Sequence, residues 1–167
     1  MRVKSIKEQN LQLNSRCRNL KISKMEKIER FIVVDDDPTN NLLCEYSLKR
    51  GFESIPITLF SIPEDALKTI HEEYGNSTKP VNTVLLLDIN MPTMSGWEFL
   101  EEFYHLSKAI HAQFTIFILS SSVDERDKEK AEINPFISGF LCKPFSINAI
   151  KQLLEDKNPR EQEVSIK

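Results

Sequence analysis

Val84-Leu85-Leu86-Leu87-Asp88-Ile89-Asn90-Met91-Pro92 decides how this chain is read. Four apolar residues without alternation describe a strand buried on both faces, as in a parallel sheet. The run stops at an acid, and Pro92 soon bars the strand from continuing. An aspartate at the carboxyl end of a central strand stands where open α/β sheets bind their ligands. Alone, Asp88 would more simply begin a turn, as acids often do. Two other strand ends carry chemistry that complements a carboxylate, and they reverse that reading.

Upstream, Phe31-Ile32-Val33-Val34 is a short buried strand that runs into Asp35-Asp36-Asp37. Pro38 then opens a helix, with Asp37 placed to cap it. Leu42, Leu43, Tyr46 and Leu48 are expected on its buried face and Gly51 at its end. Ile55–Phe60 reads as a weaker second strand, interrupted by Pro56. Ser61 is expected to cap the next helix, whose buried stripe is Ala66, Leu67, Ile70 and Tyr74.

Downstream, Ser95-Gly96 leads into a helix with Trp97, Leu100, Phe103 and Leu106 at helical spacing, a pattern of core packing rather than ligand stacking. Phe114–Leu119 is a fourth strand that ends at Ser120-Ser121-Ser122. Asp124–Ile133 is a short charged helix with little apolar face. Gly139–Cys142 is a fifth strand, ending at Lys143-Pro144, and Ser146 caps a last helix with Ile147, Ile150, Leu153 and Leu154 inward. Strand and helix alternate five times. The expected fold is α/β: a doubly wound, flavodoxin-like, five-stranded parallel sheet in the order 2-1-3-4-5. That order brings Asp35, Asp36 and Asp88 into one crevice, flanked by Ser120 and Lys143.

Three neighbouring carboxylates repel one another, and a divalent cation resolves the conflict. An all-oxygen, acid-rich site favours magnesium. Asp36 and Asp88 are the best direct ligands, Asp35 binds directly or through water, and the Asn90 backbone carbonyl completes the protein's share. Lys143 adds a positive charge and Ser120 a hydroxyl donor, so a phosphoryl group on Asp88 would be surrounded. Carboxylates accept phosphoryl groups as aspartyl-phosphates. Each part has a bland meaning alone: an acidic helix cap, a polar loop, a surface lysine. Their joint placement at successive strand ends is what is specific.

Composition bounds the rest. The chain has 167 residues, 40% hydrophobic and 28% charged, in the range of one soluble globular domain. No apolar run approaches the roughly 20 residues of a membrane helix, and Met1–Ile22 lacks the apolar core of a secretory signal. A cytoplasmic location without membrane contact is expected. Cys17, Cys44 and Cys142 lack metal or disulfide spacing and are expected reduced. His71, His105 and His111 are scattered and fit surface or packing roles. Residues 1–26 hold seven Lys/Arg against two Glu, or +5; since the whole chain is −3, the remainder carries −8. Such an arm can meet nucleic acid or an acidic partner, but without interleaved aromatics it better fits a solvated leader. Met25 stands directly before the folded pattern, so residues 1–24 also fit an upstream start. The expected organisation is a basic extension over 1–26, one domain over 27–157 and a tail over 158–167.

These motifs resemble the receiver domain of bacterial two-component response regulators. The resemblance covers about residues 28–156 and rests on Val33-Val34-Asp35-Asp36-Asp37-Pro38, Leu87-Asp88-Ile89-Asn90-Met91-Pro92 with Ser95-Gly96, Leu119-Ser120, and Phe140-Leu141-Cys142-Lys143-Pro144-Phe145. It implies Asp88 as phosphoacceptor and Asp35, Asp36 and the Asn90 carbonyl as magnesium ligands. It also implies Lys143 as the phosphate-contacting lysine, Ser120 and Phe140 as a switch pair, and a cis Lys143–Pro144 peptide. Phe140 lacks a hydroxyl to lock a ring switch. The loop Asn134–Ser138 replaces a usual glycine-containing turn and is one residue longer.

Some eleven residues follow the last helix, too few for an effector fold. A stand-alone receiver is therefore expected, with no enzymatic activity beyond its own phosphorylation and dephosphorylation. A sensor histidine kinase or histidine phosphotransfer protein is the implied donor. The output would be a downstream protein partner or a relay, without direct nucleic-acid binding. The alternative is a phosphohydrolase of the haloacid dehalogenase type. That class places its nucleophile in the first motif as Asp-x-Asp, whereas here the acidic triplet comes first and the central motif is Asp88-Ile89-Asn90.

Overall fold

Every residue of Thr83–Asp88 is buried, and this segment forms the central strand β3. A computed structural model describes residues 28–121 and 124–155 of the chain. The basic arm, the tail, Cys17 and the loop residues Ser122 and Val123 lie outside the described residues. β1 is Arg30–Val34 and β2 is Ile57–Phe60. β4 is Phe114–Ser120 and β5 is Ile137–Cys142. All pairings are parallel, in the order β2-β1-β3-β4-β5. The expected doubly wound, flavodoxin-like topology is observed, with β1 and β3 adjacent.

The helices are α1 Pro38–Gly51, α2 Pro63–Gly75, α3 Gly96–Tyr104, α4 Lys108–His111, α5 Glu125–Ile133 and α6 Ile147–Glu155. Strand residues alternate between two layers of core. Ile32, Val34, Leu85, Leu87, Ile116 and Ile118 face α2 to α5, meeting Ile70, Phe99, Phe103 and Ile110. Phe31, Val33, Val84, Leu86, Phe117 and Leu119 face α1 and α6, meeting Cys44, Leu48 and Ile150. Side chains of this kind each contribute about 1.5–3 kcal/mol when fully buried. Two full layers therefore hold the sheet's carboxyl end in a fixed place.

α1 corrects one expectation. Its buried residues are Asn41, Cys44 and Leu48, while Leu42, Leu43 and Tyr46 are 62%, 54% and 62% exposed. Positions 41, 44 and 48 follow the i, i+3, i+7 stripe of a helix, but a polar residue heads that stripe, which hid it. Asn41 faces inward because its side-chain amide has acceptors there, as described below. Tyr46 instead lies beneath the Arg50 guanidinium, 5.7 Å from its ring centre.

Other corrections are local. Ile62, not Ser61, is the N-cap of α2 and makes no side-chain cap bond; the Ser61 hydroxyl accepts from Asn41 Nδ2 at 3.2 Å. Asp37, Ser95 and Asp124 do cap α1, α3 and α5, and Ser95 forms a capping box with Glu98. Helix α3 ends before Leu106. The one-turn α4 that follows, capped by Ser107, has too few residues to show a period. β5 begins at Ile137, two residues earlier than expected. Its register against β4 shifts between Ile116 and Phe117, so Ile137 and Gly139 pair with consecutive residues. A one-residue bulge thus absorbs the longer segment.

Candidate functional site

Strands β1 and β3 end side by side: Asp35 follows the last residue of β1, and Asp88 is the last residue of β3. Asp35 is fully buried, Asp88 is 4% exposed and Asp36 is partly buried. One carboxylate oxygen from each lies within 4.8 Å of the other two. Among the described residues this is the one acidic cluster compact enough to hold an ion. Like charges about 4 Å apart repel by about 4 kcal/mol at an effective dielectric near 20. Such a cluster therefore needs cations.

One cation comes from the end of β5. Lys143 Nζ lies 2.5 Å from Asp35 Oδ2 and 2.8 Å from Asp88 Oδ2, with its side chain 10% exposed. The Lys143 backbone N–H donates to the Ser120 carbonyl at 2.8 Å, which fixes the lysine to the end of β4. The Lys143–Pro144 peptide is cis. Burial acts to lower the Lys143 pKa, but hydrogen bonds to Asp35 and Asp88 and the charges of both outweigh it, and the net shift is upward. A lysine with a raised folded pKa stabilises the fold fully below its unfolded value. That contribution is lost only as pH rises through the folded pKa, on the alkaline side of the ordinary 10.5.

Formally, three acids and one lysine leave −2. Asp36 forms no ion pair among the described residues. The donor set is all oxygen and the residual charge is that of one divalent ion. The residues present therefore fit a hard divalent cation.

Backbone and amide donors orient the acids. Asp35 Oδ1 accepts from the Asp37 N–H at 3.0 Å and from Asn40 Nδ2 at 3.4 Å. Asp88 Oδ1 accepts from the Asn90 N–H at 3.1 Å. Ser120 is fully buried, and its Oγ accepts from Asn90 Nδ2 at 3.4 Å. Phe140, paired with Ile118 across β4 and β5, is partly buried against the α2–α5 layer. Gly96 opens α3 so close to β3 that a Cβ there would stand 2.4 Å from the Asp88 carbonyl oxygen.

The expected residues Asp35, Asp36, Asp88, Ser120 and Lys143 thus meet at one end of the sheet, with Asn90 beside them. Asn40 and Asn41 on α1 were not expected there. The signal available for Asn41 was a polar residue in line with Cys44 and Leu48.

Cys44 lies beneath this site. Burial, then the charge of Asp35, pushes its thiol up to about 12, with Lys143 opposing and Asp88 adding to the rise. Because the thiolate is the nucleophile, Cys44 should resist alkylation at pH 8 in the folded protein. Exposed Cys142 should react, and peptide mass mapping before and after denaturation would read the difference. Labelling of Cys44 as fast as Cys142 under native conditions would show that α1 opens.

A family described as the response regulator receiver domain matches residues 31–155. The chain belongs to the response regulator receiver domain family. A response regulator receiver protein from Dyadobacter fermentans is 32% identical, with a TM-score of 0.68 over 77% of this chain and 96% of that one. A two-component response regulator from Cytophaga hutchinsonii is 26% identical, with a TM-score of 0.70 over 79% of this chain and 98% of that one. The two-component response regulator ARR11 of Arabidopsis thaliana is 27% identical over 123 residues, 73% of this chain. The receiver chain spans only 21% of that relative's length. Membership gives the domain over residues 31–155 a phosphoacceptor signalling function, and the hydrolase alternative finds no support in these matches. No helix among the described residues is long and apolar enough to cross a membrane.

Proposed function

We propose that Asp88 is the residue that accepts the phosphoryl group. The observation that carries this reading is the position of Lys143, which bridges Asp35 and Asp88 on one side of a cluster that Asp36 leaves two charges short of neutrality. Asp35, Asp36, Asp88 and the Asn90 carbonyl would hold magnesium. The metal, when bound, neutralises charge on the transferring phosphoryl oxygens.

The remaining steps belong to the chain. An Asp88 carboxylate oxygen forms the new P–O bond while the donor's bond to phosphorus breaks and the leaving group departs with the electron pair. With a phosphohistidine donor that leaving group is the imidazole nitrogen. Lys143 exchanges part of its ion pair with Asp88 for a phosphoryl oxygen, and the Ser120 hydroxyl donates to another. A sensor histidine kinase or histidine phosphotransfer protein in the cytoplasm is the donor we infer. The product acts by docking a downstream protein or by relaying the phosphate, and its turnover is limited to its own phosphorylation and dephosphorylation.

Ser120 and Phe140 form the switch in this reading. Phosphate adds charge and three acceptor oxygens, drawing the Ser120 loop inward and opening space into which Phe140 turns. This alters the surface of α5 and β5. Only the differential affinity of phosphate for the two states moves such an equilibrium. Amide spectra of the apo chain and its magnesium–beryllofluoride complex, in which beryllofluoride stands in for the phosphoryl group, should differ across residues 120–145. Shifts confined to the ends of β1 and β3 would leave a phosphate sink as the better description.

A further inference from the structure

We propose that Asn41 is a positioning residue of the cation site, holding the peptide that joins Asp35 to Asp36 at the angle a divalent ion requires. The inference rests on the cation reading above. It starts from a side chain that the fold alone does not account for: Asn41 is 3% exposed and lies in the otherwise apolar stripe of α1.

Its Nδ2 donates to the Asp35 carbonyl at 2.7 Å, the shortest of its contacts, with the Ser61 hydroxyl at 3.2 Å and the Phe60 carbonyl at 3.3 Å. The amide therefore ties α1 to the ends of both β1 and β2. The Asp35 carbonyl belongs to the peptide plane between the first two acids. Fixing that plane sets the torsions on either side of it, ψ of Asp35 and φ of Asp36. The Cα–Cβ bonds of the two acids are then held at a fixed angle to one another.

The other half of the amide has no such role. Asn41 Oδ1 is sealed from solvent and accepts no hydrogen bond. An unsatisfied buried acceptor lowers stability, so burying this amide carries a cost for the fold. What the chain gains is the bond to Asp35. Leucine, branched like asparagine at Cγ though bulkier, would remove the orphaned Oδ1 at position 41 and leave the Asp35 carbonyl without this donor. Phe60 O keeps the Asp35 N–H at 3.0 Å. One unpaired acceptor is exchanged for another, so the fold should survive while the acidic turn loses its tie.

The test compares wild type with Asn41→Leu and Asn41→Ala, reading magnesium affinity by calorimetry and thermal unfolding without metal. Asn41→Leu should keep a melting temperature close to that of wild type. It should bind magnesium about 10-fold more weakly, the size seen when a partner that orients a ligand is removed. A folded variant with wild-type magnesium affinity overturns the proposal. If neither variant folds, the Asn41 side-chain amide protons of the wild type decide. They should shift on adding magnesium, because the cation polarises the peptide they hold, and signals that do not move overturn the proposal. Wild-type protein that binds no magnesium overturns the cation reading itself, and this inference with it.

Discussion

Asp88→Asn should abolish phosphoryl incorporation from acetyl phosphate in the presence of magnesium. The carboxamide keeps the shape of the side chain but removes the anionic oxygen that attacks phosphorus. It also removes a charge: Lys143 retains Asp35 at 2.5 Å, and the formal balance of the cluster falls from −2 to −1. The variant should therefore stay folded and bind magnesium more weakly, with no phosphoryl adduct by intact mass. Wild-type protein stripped of divalent ions should be equally inert. Incorporation by Asp88→Asn at the wild-type rate would move the acceptor to Asp36, the partly exposed acid of the same cluster. Incorporation without a metal would remove the cation from the scheme.

Gly96→Ala should damage both fold and site. The added methyl would stand 2.4 Å from the Asp88 carbonyl oxygen and 2.8 Å from the Ile89 Cα. These are backbone atoms at the buried end of β3 and in the residue that follows it, and they cannot rotate away. Either α3 lifts from β3, uncovering Phe99, Leu100 and Phe103, or the end of β3 moves and takes Asp88 with it. Overpacking a well-filled core costs about 1–3 kcal/mol and occasionally more. A contact against backbone atoms belongs at the upper end, at about 3 kcal/mol. Chemical denaturation should show that loss, and phosphorylation of the folded fraction should slow. A variant with wild-type stability and wild-type phosphorylation would mean that α3 yields freely, and that the close approach plays no part in placing Asp88.

Both expectations concern residues whose place along the chain is legible from sequence and whose surroundings are not. The central run Val84–Leu87 has no period because both of its faces are covered, and a run of that kind, ending in an acid, implies a parallel sheet with its chemistry at the strand ends. The acid after β1, the acid and the serine that close β3 and β4, and the lysine after β5 follow from that single pattern. Topology does the rest, since β1 and β3 must be neighbours at the switch point of this strand order.

Which face a helix turns inward is a different question. On α1 the apolar residues Leu42, Leu43 and Tyr46 compete with the stripe Asn41, Cys44 and Leu48, and periodicity favours the wrong one because it scores Asn41 as polar. Burial goes to Asn41 because the buried carbonyl of Asp35 takes its amide as a donor there, a contact that exists only after β1 and β2 have paired. In the same way, Lys143 spans two acids rather than one, and Gly96 excludes a side chain because α3 lies against the end of β3. The extra residue before β5 becomes a bulge within a strand instead of a longer loop. The sequence by itself determined which groups stand at the ends of the strands, because that is a property of local runs. Only the tertiary structure decided which of them touch, since each contact joins segments far apart in the chain and forms only in the assembled sheet.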